Sequence, residues 1–139
     1  MARAVAETFP DPAFILAADT VVALGRRILP KAADDAEVRA CLKLLSGRRH
    51  QVITAVALIA PDGKLRRRVA LTRVSLLRLS EAQIGQYLQS REGVGKAGGY
   101  AIQGRAEMLV KEIAGSYSNV VGLPLALTVA LLEGSGYGR

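Results

Sequence analysis

Ten consecutive residues, Gly95-Lys96-Ala97-Gly98-Gly99-Tyr100-Ala101-Ile102-Gln103-Gly104, set an ammonium, a phenol and a carboxamide within a frame of four glycines. Glycine at that density lets the backbone turn tightly or approach another group closely. The Gln103 carboxamide carries both donor and acceptor, which suits the edge of a nucleobase. A plain connecting loop accounts for the same composition. The spacing fits neither a Walker loop nor a dinucleotide-binding fingerprint. A second candidate is Asp19, set between the apolar runs Phe14-Ile15-Leu16-Ala17-Ala18 and Val21-Val22-Ala23-Leu24. A carboxylate inside an apolar strand is costly unless it is paired, metal-bound or catalytic. An Asp hydrogen-bonded to backbone amides is the structural alternative.

The elements around these residues follow from the apolar pattern. Residues 2–8 read as the end of a helix, broken by Pro10 and Pro12. Phe14–Ala18 reads as a buried strand ending at Asp19-Thr20, and residues 21–29 as a hairpin about Gly25-Arg26-Arg27, with Lys31 at its end. Asp34 caps a helix with Glu37 as capping-box partner, and Val38, Cys41, Leu42 and Leu45 form its apolar stripe up to Ser46-Gly47. Val52–Ile59 and Leu65–Leu79 are strands joined at Pro61-Asp62-Gly63. Ser80 opens a helix to about residue 89, with Ile84, Tyr87 and Leu88 inward. Glu107–Ile113 reads as a strand, Gly115–Asn119 as a polar turn, Leu123–Leu132 as a helix and residues 134–139 as a frayed tail. The whole is a single α/β domain over residues 1–139 with a mixed sheet.

Composition narrows the function classes. The net charge of +7 suits a nucleic acid, a membrane surface or a small polyanion such as a nucleotide. The cations come in small groups, Arg26-Arg27, Arg48-Arg49 and Arg66-Arg67-Arg68, without interleaved aromatics, so stacking along a nucleic-acid strand is poorly supported. No apolar run approaches a membrane span, and the first residues do not read as a signal peptide. Cys41 is the only cysteine and reads as a buried thiol in a reducing compartment; His50 is the only histidine, so a histidine-cluster metal site is excluded.

Three segments together resemble the Maf family of nucleoside triphosphate pyrophosphatases. They are Ala18-Asp19-Thr20-Val21-Val22, Ser46-Gly47-Arg48-Arg49-His50, and Lys96 to Gly104 continuing to Gly115-Ser116-Tyr117-Ser118-Asn119-Val120-Val121-Gly122-Leu123-Pro124. The resemblance implies a cytoplasmic enzyme that cleaves a nucleoside triphosphate to monophosphate and pyrophosphate with a divalent cation, Mg²⁺ or Mn²⁺. It implies an elongated mixed sheet flanked by helices, with a cleft between two lobes, and a dimer or other homo-oligomer. Carried over, Asp19 is the general base and a metal ligand, and Lys31 the catalytic lysine. Thr20 and Gln103 choose the base, and Lys96, Gly98, Tyr100 and Gly104 bind substrate. The Ile102-Gln103-Gly104 form resembles the branch acting on dTTP and UTP, with modified nucleotides also in range.

Several positions depart from the family pattern. The usual opening, a strand and a Ser-x-Ser-Pro-Arg-Arg loop, is not found in residues 1–139, so the domain reads as N-terminally incomplete. Pro30-Lys31-Ala32 replaces Gly-Lys-Pro, and Gly95 stands where many relatives have Asp. Losing a cationic loop that neutralises a triphosphate lowers turnover, and losing a strand leaves a sheet edge or apolar face open to self-association. The expected alternative is therefore a catalytically impaired nucleotide-binding or interaction module of the same family. A nucleic-acid-binding domain rests on charge alone.

Overall fold

The structure is a computed structural model and describes residues 13–138. The expected helix end at residues 2–8 and the breaks at Pro10 and Pro12 lie outside the described residues. The elements are β1 (Ile15–Leu24), β2 (Arg27–Leu29), α1 (Asp35–Leu45), β3 (Arg49–Ile59), β4 (Leu65–Leu76), α2 (Glu81–Ser90), a 3₁₀ turn (Arg105–Leu109), β5 (Val110–Ala114), α3 (Tyr117–Val121) and α4 (Leu125–Gly134).

The five strands form one sheet in the order β2-β1-β3-β4-β5. Each neighbouring pair is antiparallel, which corrects the expected mixed sheet. The reason lies in where α1 crosses. It links β2 to β3, which run parallel, but β1 lies between them and opposes both. A strand–helix–strand pattern is thus present in the chain without any parallel neighbours in the sheet.

Alternation sets the two faces of β3. His50, Val52, Thr54, Val56 and Leu58 are buried, whereas Gln51, Ile53, Ala55 and Ala57 are more open. Period-two side chains make this unavoidable once one face is covered. The core joins Val22, Val52 and Val74 of the sheet to Val38, Cys41, Leu42 and Leu45 of α1 and to Ile84 and Tyr87 of α2. Each buried Leu or Val contributes about 1.5–3 kcal/mol. A smaller cluster seats Leu131 of α4 on Val56 and Leu58.

Caps set the helix starts. The Asp34 carboxylate accepts from Glu37 N at 2.9 Å, but Glu37 reaches Ala33 N instead of closing the expected box on Asp34. Ser80 and Gln83 do close a reciprocal box, at 3.1 and 2.8 Å.

Other boundaries differ from expectation for local reasons. β1 runs unbroken through Asp19-Thr20, because β3 supplies a partner to every residue from Ile15 to Ala23. β4 ends at Leu76, short of Leu79. Residues 105–109 form a 3₁₀ turn, with Ala106 and Leu109 buried three apart, so the strand begins only at Val110. The expected turn at 115–119 contains the start of α3, whose Asn119 N donates to the Ser116 hydroxyl. Pro124 is the N-cap of α4 and not part of its first turn. The segment after α4 is held as well: Ser135 accepts from Arg66 at 2.9 Å, and Tyr137 packs edge-on against Phe14 at 5.2 Å.

Candidate active site

A long-range stitch brings the two candidate stretches together. Lys31 and Ala97 form a β-bridge. Ala32 N donates to Lys96 O at 3.1 Å, Gly95 N to Ala32 O at 2.6 Å and Gly98 N to Pro30 O at 3.2 Å. The glycine-rich loop is thereby bonded to the segment after β2, which β1 in turn holds. Between them opens a cleft of about 240 Å³, lined by Asp19, Thr20, Lys31, Lys96, Tyr100 and Gln103 together with Val120, Val121 and Gly122.

The charged end of the cleft is open to water. Lys31 Nζ lies 3.9 Å from Asp19 Oδ1, and the two side chains are 68% and 71% exposed. Asp19 is therefore not a carboxylate sunk in an apolar strand. Its strand is apolar, but its side chain emerges at the cleft, and no burial penalty needs explaining. A loose, solvated pair of this kind stabilises the fold by little and leaves both groups available to a ligand. Asp19 is the only carboxylate among the described residues lining the cleft. Among the described residues, no group of three or more His, Cys, Asp or Glu is placed to hold a metal ion. The site fits a cation that brings most of its oxygen ligands with it, as Mg²⁺ bound to phosphates does. It does not fit a resident metal cage.

The glycine-rich loop is held from beneath. Tyr100 lines the cleft with its ring, but its hydroxyl is buried and 2.6 Å from His50 Nε2. Burial raises the Tyr100 hydroxyl above its ordinary pKa and lowers His50 to about 4, so a neutral imidazole faces a neutral phenol. Tyr87 Oη accepts from Ala101 N at 3.0 Å. Gly98 has φ +72°, and a Cβ there would stand 2.9 Å from Val22 Cγ1. That position needs glycine for its conformation and its contact alike. At Gly104 the missing side chain gives room to the Glu92 carboxylate, which accepts from Arg105 N at 2.8 Å. Neither Gly98 nor Gly104 lines the cleft. Both shape the loop that does, and Lys96 and Gln103 are exposed on it.

The neutral end of the cleft rests on a polar seam that strand and turn patterns had not singled out. Thr20 and Thr54 face each other across β1 and β3, with their hydroxyls 2.8 Å apart. Thr54 Oγ1 donates to Asn119 O at 3.3 Å, and Thr20 Oγ1 lies 3.4 Å from Gly122 O. Asn119 Nδ2 donates to Val52 O at 3.1 Å, Ala70 O at 3.3 Å and Thr72 Oγ1 at 2.9 Å. Thr72 also accepts from Ser116 N at 3.1 Å. Thr54, Thr72 and Asn119 are fully buried. The available signal was alternation, which puts Thr54 and Thr72 on inward-facing positions where a hydroxyl needs a partner.

The sequence profile of the family described as "Maf-like protein" matches residues 1–135. The dTTP/UTP pyrophosphatase of Paramagnetospirillum magneticum is 59% identical over 136 residues, covering 98% of this chain and 71% of that protein. The proteins of the same name from Rhodospirillum rubrum and Caulobacter vibrioides are 57% and 56% identical over 136 residues, 98% of this chain in each case, and 64% and 70% of the relatives. The chain thus spans 64–71% of the length of these three relatives. A profile match over nearly every residue, together with identity above half, places this chain in the Maf family.

Proposed function

We propose that the chain is a nucleoside triphosphate pyrophosphatase acting on dTTP and UTP, and on modified nucleotides of the same shape. The observation that carries this reading is one cleft in which an exposed Asp19, paired at 3.9 Å with Lys31, adjoins Thr20 and Gln103. The relatives' printed activity supports the choice of substrate.

Water adds to the α-phosphorus and gives its proton to the Asp19 carboxylate. The bond between the α-phosphorus and the α,β-bridging oxygen breaks, releasing pyrophosphate and leaving the monophosphate. The Lys31 and Lys96 ammoniums offset charge on the phosphates. Asp19 would be the protein's ligand for a divalent cation, Mg²⁺ or Mn²⁺, carried in with the triphosphate, which would supply further charge neutralisation. Thr20 and Gln103 meet the base, while Gly98, Tyr100 and Gly104 shape the loop that carries Lys96 and Gln103.

The two lysines are the only cationic side chains among the described lining residues. A nucleoside triphosphate carries about four negative charges, so charge compensation at this cleft is partial. That observation favours the second reading, a nucleotide-binding module of low turnover. Pyrophosphate release from dTTP, UTP, CTP and dGTP with Mg²⁺ separates the two. Release from dTTP and UTP is the expected result, and saturable binding without release would leave only the module. We also read the chain as cytoplasmic and self-associating. The free, buried Cys41 suits a reducing compartment, and Val69 and Leu71 stand 65% and 43% exposed on the open sheet face. Light scattering tests the association.

A further inference from the structure

We infer that Thr54, a buried residue that does not touch the cleft, positions the Thr20 hydroxyl as an obligate hydrogen-bond acceptor. Through it, Thr54 selects pyrimidines whose ring nitrogen N3 carries a proton. The inference rests on the dTTP/UTP reading above and deepens it.

Proton counting carries the argument. Each threonine hydroxyl has one proton and two lone pairs. The 2.8 Å contact between Thr20 Oγ1 and Thr54 Oγ1 uses one of the two protons. Two backbone carbonyls compete for the other: Asn119 O, 3.3 Å from Thr54 Oγ1, and Gly122 O, 3.4 Å from Thr20 Oγ1. If Thr54 donates to Asn119, Thr20 must donate to Thr54. If Thr20 donates to Gly122, Thr54 donates to Thr20. In both arrangements the Thr20 proton is consumed inside the protein, and only a lone pair is left for the cleft. The remaining arrangement turns the Thr20 proton outward and deprives both carbonyls of a hydroxyl, which is costlier because Asn119 is fully buried.

An acceptor at Thr20 discriminates by chemistry. Uracil and thymine present N3–H, a donor. Cytosine presents a bare N3 lone pair at the same place, which an acceptor repels. The Gln103 carboxamide carries donor and acceptor and can turn to suit either ring, so it does not impose this choice by itself. Thr54 can, because its neighbours are fixed: it is fully buried, paired in register with Thr20, and bonded to the same short helix whose Asn119 side chain is anchored on β3 and β4.

The test measures discrimination between uridine and cytidine nucleotides by turnover, and by calorimetric binding of the α,β-imido analogues of UTP and CTP. Thr54→Val keeps the β-branched shape and removes the relay. Only the long 3.4 Å contact to Gly122 O, beside the open cleft, then competes for the Thr20 proton, which can turn outward, and the preference for uridine over cytidine is expected to fall about tenfold. Thr54→Ser restores it. In a Thr20→Val background, Thr54→Val changes the ratio no further, which a merely structural role would not produce. Thr54→Cys, whose thiol is a weak donor, should shift the ratio in the same direction, so a misfolded Val variant does not end the test. An unchanged ratio in a folded Thr54→Val or Thr54→Cys protein overturns the inference and leaves the pyrophosphatase reading standing. A binding preference that follows this pattern without turnover upholds the inference and removes the pyrophosphatase. Absence of both binding and turnover in the unsubstituted chain removes both.

Discussion

At one end of the cleft, Asp19 and Lys31 stand about two-thirds exposed and meet at 3.9 Å. At the other end, Thr20 rests on Thr54, Asn119 and Thr72, fully buried groups linked by bonds between 2.8 and 3.3 Å. The charged end is solvated and has one weak internal contact. The neutral end is bound into three strands and a helix. Recognition of a base edge depends on donors and acceptors held in one orientation, which a buried network provides. Charge neutralisation of a flexible polyanion tolerates mobile ammoniums and a cation that arrives with the substrate. On the proposed function, the same cleft would divide its tasks by rigidity.

Substitutions at the two ends should break in opposite ways. The largest effect is expected at Asp19. Asp19→Asn keeps the shape but cannot take the proton, and pyrophosphate release should fall about 10²–10⁴-fold with thermal stability unchanged. A loss of only a few-fold would remove Asp19 as the base. Asn119→Ala should do the reverse to the fold. It removes the two N–H donors that Val52 O, Thr72 Oγ1 and, at 3.3 Å, Ala70 O share, and chemical denaturation should register a loss of about 2–4 kcal/mol. A change within experimental error would mean that the seam is ornamental.

A third effect comes from acid. His50 is held neutral by burial, its folded pKa near 4 against 6.5 when unfolded. Below 6.5 the unfolded chain binds the proton more readily. The stability present above that pH should thus drain away as pH falls toward 4, by on the order of 3 kcal/mol. Denaturation midpoints measured across that window should flatten in His50→Gln; an equal slope in both proteins would assign the acid sensitivity to other groups. The smallest effect is expected at Gln103, exposed on its loop. Gln103→Ala should alter the ranking of dTTP, UTP, CTP and dGTP by about tenfold, with phosphate affinity little changed. An equal loss for all four would make its role structural.

The legible and illegible parts of this molecule separate along the same division. The stripe Val38, Cys41, Leu42 and Leu45 and the turns at Gly25 and Gly63 are encoded within a few residues, and they fold as their local pattern dictates. Asp19, Lys96 and Gln103 are legible by type and Lys31 by the family resemblance, and the fold brings all four to one cavity. Asn119 did not stand out. Its partners Val52, Ala70 and Thr72 lie 47 to 67 positions away, and nothing in Ser-Tyr-Ser-Asn says that the amide will be buried under a sheet. Likewise nothing local to Gly104 says that the Glu92 carboxylate stands beside it. The sheet differs from the expected mixed one for a topological reason, since local sequence does not say that β1 lies between the two strands that α1 connects.

The bridge between Lys31 and Ala97 closes a chain segment of more than sixty residues with a handful of backbone bonds. The sheet and helices between the two residues order that segment, so the cost of closing it is met mostly elsewhere in the fold. The loop's own packing, with Tyr100 and Ile102 in the main core, adds to those bonds, so the stitch is expected to open only with the elements beneath it. Amide protons at Ala32, Gly95 and Gly98 mark the stitch. If a nucleotide bridges Lys31 and Lys96 as proposed, its binding should slow solvent exchange at those three amides, each bonded across the stitch.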